Sequence, residues 1–289
     1  MKVLLTGAGG QLGQSIIDRA PDHWDLIALS SSEFDITNTQ QVNELFKIHT
    51  PDVVINAAAY TAVDKAEEDE QQARAINAVA VKNLALKCNE IGAFLVHIST
   101  DYVFDGTSNH PYKEDDIINP LNIYGKTKAE GEQNIVRSGT DFSIIRTSWV
   151  FSEYGTNFLK SMLRIATSRE NLKIVSDQMG APTYAGDIAE VIKSIIDNKD
   201  LSKNEIYHFT GDNITSWADF AKVIFDTAMA EGKLIRPVSI EGITTEEYGA
   251  PAPRPKNSVL DCRKIKNLSA IKLSDWRSAT RKIISDYNE

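Results

Sequence analysis

The sequence predicts an α/β fold: a Rossmann-like, doubly wound parallel sheet with a smaller C-terminal region that shapes a substrate cleft. Three observations carry this. Short strands that are apolar throughout alternate with helical patterns, which is how a parallel sheet covered on both faces reads. A glycine-rich turn follows the first strand and opens the first helix. Beyond about residue 150 the alternation loosens. The chain therefore divides into 1–150, the dinucleotide-binding half, and 151–289, a mixed region that completes the sheet and binds substrate.

Taken in order, Val3-Leu4-Leu5 is the first strand, and a helix runs through Ile16 and Ile17. The second strand is 26–29. A helix over 40–49 follows, with Thr37 or Asn38 as its cap. Val53-Val54-Ile55 is the third strand, and 64–89 reads as one long helix or two in series. A strand at 94–98, a helix at 124–137, a strand at 142–145 and a helix near 157–167 come next. In the second half, strands are predicted at 173–175 and 206–209, and helices at 186–197, 217–231 and 276–287. Pro251, Pro253 and Pro255 mark an irregular stretch.

Composition narrows the function classes. The 289 residues are 42% hydrophobic and carry a net charge of −9. A nucleic-acid binder shows the opposite sign or a basic stripe, and none is visible. No run approaches the ~18 apolar residues of a membrane span. The opening residues lack the apolar core of a signal peptide, so a cytoplasmic protein is expected. Cys88 and Cys262 are expected to be ordinary thiols, and no spacing suggests a metal site.

In the turn Gly7-Ala8-Gly9-Gly10-Gln11-Leu12-Gly13, glycines stand at Gly7, Gly10 and Gly13. Tight turning and close approach to a pyrophosphate exclude side chains, and the helix N-terminus behind offers open N–H groups. Gln11 and Leu12 belong to the same phosphate-binding turn. The second strand ends Leu29-Ser30-Ser31-Ser32-Glu33. Ser30 suits a 2′-phosphate, although no arginine stands by it, and Glu33 is a displaced acidic residue. The reading favours NADPH, with NADH left open. Asp35 and Ile36 are candidates to receive the adenine. Ala57, Ala58 and Ala59 end the third strand and leave room for a flat cofactor.

The chemical signal is Tyr124-Gly125-Lys126-Thr127-Lys128. Tyr124 and Lys128 are four apart and share one helical face. A neighbouring ammonium is expected to lower the phenol's titration, and such a tyrosine can act as general acid to a carbonyl oxygen. Thr100 ends the fourth strand, at the edge of the sheet where ligands bind, and completes the donor set. His97 reads as a strand residue and not as a base. Asn77 is a helix polar group that could support the lysine.

These motifs are similar to those of the extended short-chain dehydrogenase/reductases and, more narrowly, resemble the dTDP-4-dehydrorhamnose reductase family. The matching stretches are GAGGQLG (7–13), FDIT (34–37), NAAAYTAVDKAE (56–67), STDYVFDG (99–106), YGKTKAEGE (124–132), RTSWVF (146–151), DQMGAPTY (177–184) and RPKNS (254–258). The resemblance implies reduction of dTDP-4-dehydro-L-rhamnose to dTDP-L-rhamnose for cell-surface polysaccharide such as O-antigen. It implies Thr100, Tyr124 and Lys128 as the catalytic residues. Thr61, Val63, Asp101, Tyr102 and Trp149 would line the sugar site, and Arg254, Asn257 and Ser258 would meet the nucleotide diphosphate. The related 4,6-dehydratases carry Thr-Asp-Glu at this strand end. Here it is Thr100-Asp101-Tyr102, without the dehydration base. Ser15 stands where some relatives place a glutamate that holds a bridging magnesium, so a magnesium-bridged dimer is not expected, and the chain is read as a monomer or homodimer. Two other readings stay open. One is a non-catalytic regulatory subunit like that of methionine adenosyltransferase; the other is a reductase of a different 4-keto nucleotide sugar.

Overall fold

The computed structural model describes residues 1–268 and 271–287. Strands β1 (Lys2–Thr6), β2 (Asp25–Leu29), β3 (Val53–Asn56), β4 (Phe94–Thr100) and β5 (Phe142–Thr147) join the strand Glu205–His208 in one six-stranded parallel sheet. The order is Glu205–His208, β5, β4, β3, β1, β2. The chain steps outward from β1 to β2 and then returns to β3 on the other side. The carboxyl ends of β1 and β3 therefore flank a topological switch point, where such sheets bind ligands.

Period-two alternation sends successive strand residues to opposite faces. Leu4, Val54 and Leu95 lie in register and join a core with Val42, Phe46 and Leu84. Leu5, Ile55 and Val96 lie in register on the other face, with Leu12, Ile16, Ile188 and Ile192. Each such side chain contributes about 1.5–3 kcal/mol by leaving water. Two residues further along the first face the row turns polar: Thr6, Asn56 and His97 are in register and fully buried.

A separate core lies in the second half, where Phe151, Leu163, Ile174, Phe220, Ile224, Trp276 and Ile284 cluster. That half also returns to the sheet. It supplies the edge strand Glu205–His208 and the helix Ala185–Asp197, which covers the helix Gln11–Arg19.

Two local features depart from the sequence reading. The helix expected over 64–89 is divided into Val63–Ala66, Glu70–Arg74, a π-helical turn Ala75–Ala80 and Val81–Ile91. Asn77 is buried in the π turn, a feature that recurs near functional sites. Its side chain accepts from the Tyr60 N–H and donates to the Tyr60 carbonyl and to Thr127 Oγ1. It thus ties the segment after β3 to the helix Ile123–Ser138, and does not reach Lys128. The second feature is the strand Ser239–Ile243, which pairs in parallel with Asn171–Val175. It has no alternation to reveal it, because most of its residues are exposed.

The helix Ile123–Ser138 approaches the π turn so closely that a Cβ on Gly131 would lie 2.2 Å from the Asn77 carbonyl oxygen. Gly131→Ala is therefore expected to lower stability by about 1–3 kcal/mol through overpacking. Urea unfolding checks this, and an unchanged midpoint would show that the two helices part easily.

Candidate active site

The glycine turn is shaped by two close approaches. Gly7 has φ +73°, and a Cβ there would stand 2.6 Å from Ala58 N. At Gly13 a Cβ would stand 2.2 Å from the Gly7 carbonyl oxygen. The helix Gln11–Arg19 begins with no side chain capping Gly10, so its first-turn N–H groups open on a cleft of about 660 Å³. Gly9, Gly10, Gln11, Leu12 and Gly13 line one end of that cleft, together with Ala57 and Ala59. The close approaches at Gly7 and Gly13 hold the turn tight, and Gly9 and Gly10 put no side chain into this end of the cleft, which makes it a cradle that a pyrophosphate fits. Gln11 also braces the cleft: its Oε1 accepts from Ser152 Oγ and Asn157 Nδ2, across to the second half.

Other candidate cofactor residues lie outside the cleft lining. Gly7 forms the back of the turn, and Ala58 packs on the core that holds Ile36. Ser30 and Asp35 lie at the surface end of β2. Ser30 donates from both its N–H and its Oγ to Glu33, and these bonds hold the Glu33 carboxyl below its ordinary titration. Asp35 is engaged by the Thr37 N–H and hydroxyl. Ile36 is buried.

At the middle of the cleft stand Thr100, Tyr124 and Lys128. Asn122 caps the helix by accepting the Gly125 N–H. Gly125 lets that first turn press on Tyr102, whose carbonyl oxygen would lie 2.2 Å from a Cβ. This contact carries Tyr124 to the Thr100 hydroxyl, with the Tyr102 ring edge-on to it at 5.8 Å.

The electrostatics correct one expectation. Tyr124 does not titrate below its ordinary value, although Lys128 lies one helical turn along. Burial dominates and pushes the phenol up to about 12, with the Thr100 hydroxyl pulling the other way. The ammonium is turned aside: Nζ lies 2.6 Å from the Ile98 carbonyl oxygen, to which it donates, and 3.2 Å from His97 Nε2. Burial brings Lys128 itself down to about 8, while Glu132 acts to raise it. Tyr124 is thus a neutral phenol at neutral pH, the form that can give up a proton.

Behind this site Glu132 and Arg146 form an ion pair in which each side chain is only 3% exposed. Arg146 Nη2 donates to Glu132 Oε2 at 2.7 Å, and Ser99 donates to Oε1. Arg146 Nη1 also donates to His208 Nε2, while His208 Nδ1 donates to the Tyr112 carbonyl. His208 is therefore a neutral imidazole, held down to about 3 by burial and by the Arg146 charge.

At the far end, Thr61, Val63, Asp101, Tyr102, Trp149 and Arg254 line the cleft. Asp101 is raised to about 6 by burial, and its Oδ2 has no hydrogen-bond partner. Arg254 is held bidentate by Asp64, at 2.9 Å on each oxygen. Trp149 takes φ +48° and stacks on Trp217 at 3.6 Å. Gly180 makes room for its ring, which a Cβ would approach to 2.7 Å. Asn257 and Ser258 stand apart from the lining. Asn257 donates to the Ser108 carbonyl and accepts the Val259 N–H, and Ser258 is buried against Asp101 and Met179. Trp217, Ser148 and Asn157 also line the cleft, although sequence reasoning did not single them out. Trp217 carried no signal beyond its place at a helix start. Among the described residues no group of three or more His, Cys, Asp or Glu side chains is placed to hold a metal ion.

The buried imidazole sets an acid limit. His208 binds a proton near pH 3 when folded, against an ordinary 6.5. The unfolded chain therefore binds more protons between those values, and stability falls as pH drops through 6.5. His97, also lowered, acts in the same sense. Asp101 acts in the opposite sense between about 6 and 3.8. Urea midpoints are expected to decline from pH 6.5 to 4.5, and less steeply in His208→Gln; equal slopes would exclude His208 as a source.

The profile of the RmlD substrate binding domain matches residues 1–289. A dTDP-4-dehydrorhamnose reductase of Aggregatibacter actinomycetemcomitans is 46% identical over 287 residues, 98% of each chain. The crystal structure of a dTDP-4-dehydrorhamnose reductase from Clostridium acetobutylicum is 40% identical, covers 98% of both chains and superposes with a TM-score of 0.91. That of the Bacillus anthracis dTDP-4-dehydrorhamnose reductase, in complex with NADP, is 35% identical, covers 99% of both and superposes with a TM-score of 0.92.

Proposed function

The chain belongs to the RmlD substrate binding domain family, and from that premise we propose that it reduces the C4 keto group of dTDP-4-dehydro-L-rhamnose, with NADPH, to give dTDP-L-rhamnose for cell-surface polysaccharide. The observation that carries this reading is one cleft that joins a pyrophosphate cradle to a neutral phenol, a hydroxyl and a buried lysine. A purely regulatory subunit has no use for that donor set.

When bound, the reduced nicotinamide supplies a hydride to the ketone carbon. Gly10, Gln11, Leu12 and Gly13 would hold the pyrophosphate, and Ala57 and Ala59 leave space for the flat rings. Lys128 would hold the nicotinamide ribose. Tyr124 keeps its proton until negative charge builds on the ketone oxygen, and then transfers it there. Thr100 donates a hydrogen bond to the same oxygen. The Lys128 ammonium, one helical turn away, favours the phenolate that Tyr124 becomes. Tyr102 is a half-buried phenol whose titration is pushed up by desolvation, so no base stands where a dehydratase needs one.

The stacked Trp149 and Trp217 offer an apolar wall and an indole donor to the sugar. A strained backbone at such a position is characteristic of ligand sites. Arg254 offers guanidinium edges to a diphosphate. Residues 151–289 serve as the nucleotide-sugar-binding region, with Asn257 and Ser258 shaping its loop from behind. The chain's acidity supports a small-molecule partner over nucleic acid, and we read the protein as a cytoplasmic monomer or homodimer. No helix among the described residues is long and apolar enough to cross a membrane, and Cys88 and Cys262 are buried free thiols.

Coupled assays with several 4-keto nucleotide sugars test the substrate. Folded Tyr124→Phe is expected to lose about 10²–10⁴-fold in kcat; near-normal turnover would remove Tyr124 as the acid. A 2′-phosphate bound beyond β2, beside Ser30, would meet the Glu33 carboxylate, a like charge that NADPH binding has to overcome. Glu33→Gln is expected to lower KM for NADPH relative to NADH, and an unchanged ratio would place Glu33 outside the ribose site.

A further inference from the structure

Lys128 does not hang freely into the cleft. Its stem and ammonium are 1% exposed, and Nζ reaches the first member of a polar row that crosses three strands. His97 of β4, Asn56 of β3 and Thr6 of β1 are neighbours in register. All are 0–1% exposed, in a polar rung above an apolar core. Thr6 Oγ1 lies 2.7 Å from Asn56 Oδ1, Asn56 Nδ2 lies 3.0 Å from His97 Nδ1, and His97 Nε2 lies 3.2 Å from Lys128 Nζ.

Polar groups buried this deeply cost stability unless every bond is made. The carbonyl of Ile98 satisfies only one of the three N–H groups of an ammonium, and the row offers it a second partner. We propose that His97, braced by Asn56 and Thr6, is a positioning residue for Lys128: it receives a hydrogen bond from the ammonium and so fixes the charge and direction of the amine that serves Tyr124 and the cofactor.

Two directions of hydrogen bonding satisfy the row. In one, Thr6 donates to the Asn56 oxygen, the Asn56 amide donates to Nδ1, and His97 presents Nε2–H to an uncharged amine. In the other, the Asn56 amide is turned over. The ammonium then donates to Nε2, Nδ1–H donates to the amide oxygen, and the amide N–H donates to Thr6. His97 is neutral in both, in keeping with an imidazole driven down by burial and by the Lys128 charge. The charge-assisted direction is the stronger, so the row favours the ammonium against the cost of burying it. The other titratable or charged groups around Lys128 are Glu132 on its own helix, closed by Arg146 of β5, with Tyr124 one turn earlier and Asp101 beyond Thr100.

The inference rests on the reading of Lys128 as the lysine of a reductase, but its test does not need turnover. The titration of Lys128 is followed by NMR of the lysine ε-carbons in ligand-free protein. In His97→Leu it is expected to move down by about one pH unit or more, the loss of one charge-assisted bond. His97→Gln, which keeps an acceptor, is expected to restore much of it. Thr6→Val, which frees the far end of the row, is expected to shift it less and in the same direction. The pH profile of kcat with NADPH should move with the titration. An unchanged titration in folded His97→Leu, or in Thr6→Val where His97→Leu does not fold, overturns the proposal. A shifted titration in a protein that reduces no 4-keto nucleotide sugar upholds the positioning role and removes the substrate reading instead.

Discussion

The site depends on keeping an ammonium out of water. An isolated buried charge is among the most costly things a fold can contain, and Lys128 is accommodated because the structure meets it on several sides. The Ile98 carbonyl accepts from it, His97 faces it, and Glu132 lies one helical turn along. Glu132 in turn is closed by Arg146 and Ser99, and Arg146 by His208. A single buried lysine thus organises polar groups from β1, β3, β4, β5 and the edge strand. These groups occupy the sheet's carboxyl end, where the apolar core gives way to the cleft.

Burial has the same origin at Tyr124 but a different consequence. A phenol whose titration is pushed up retains its proton at neutral pH, and the proposed reduction needs that proton at the moment the ketone oxygen becomes basic. The nearby ammonium matters after the transfer, when the tyrosine carries charge. The same desolvation that keeps the acid loaded brings Lys128 toward neutrality, so one physical cause prepares both partners. Asp101, raised to about 6 by burial with an unpartnered oxygen, shows the same desolvation beside Thr100.

The two halves of the chain are joined where the chemistry requires it. Gln11 of the glycine turn is held by Ser152 and Asn157, and Asp64 clamps Arg254 and the Ala252 N–H beside the cleft. A ligand lying along the cleft would therefore touch segments already tied together. That limits the ordering cost of binding.

Local rules determined much of this from the sequence. Apolar runs of strand length, the spacing of Gly7, Gly10 and Gly13, and the four-residue step from Tyr124 to Lys128 are short-range patterns, and short-range sterics and periodicity suffice to read them. Thr100 was legible for the same reason, as a hydroxyl at a strand's carboxyl end. What only the tertiary structure decided depends on neighbours distant in the chain. The π turn around Asn77 packs against Gly131, and the stacking of Trp149 needs Trp217 and Gly180. Arg254 is engaged by a carboxylate 190 residues away. Above all, titration follows desolvation and partners in space, which no spacing along the chain records. That is why His97 read as an ordinary strand residue, and why the lysine expected to lower the Tyr124 phenol is found bonded elsewhere.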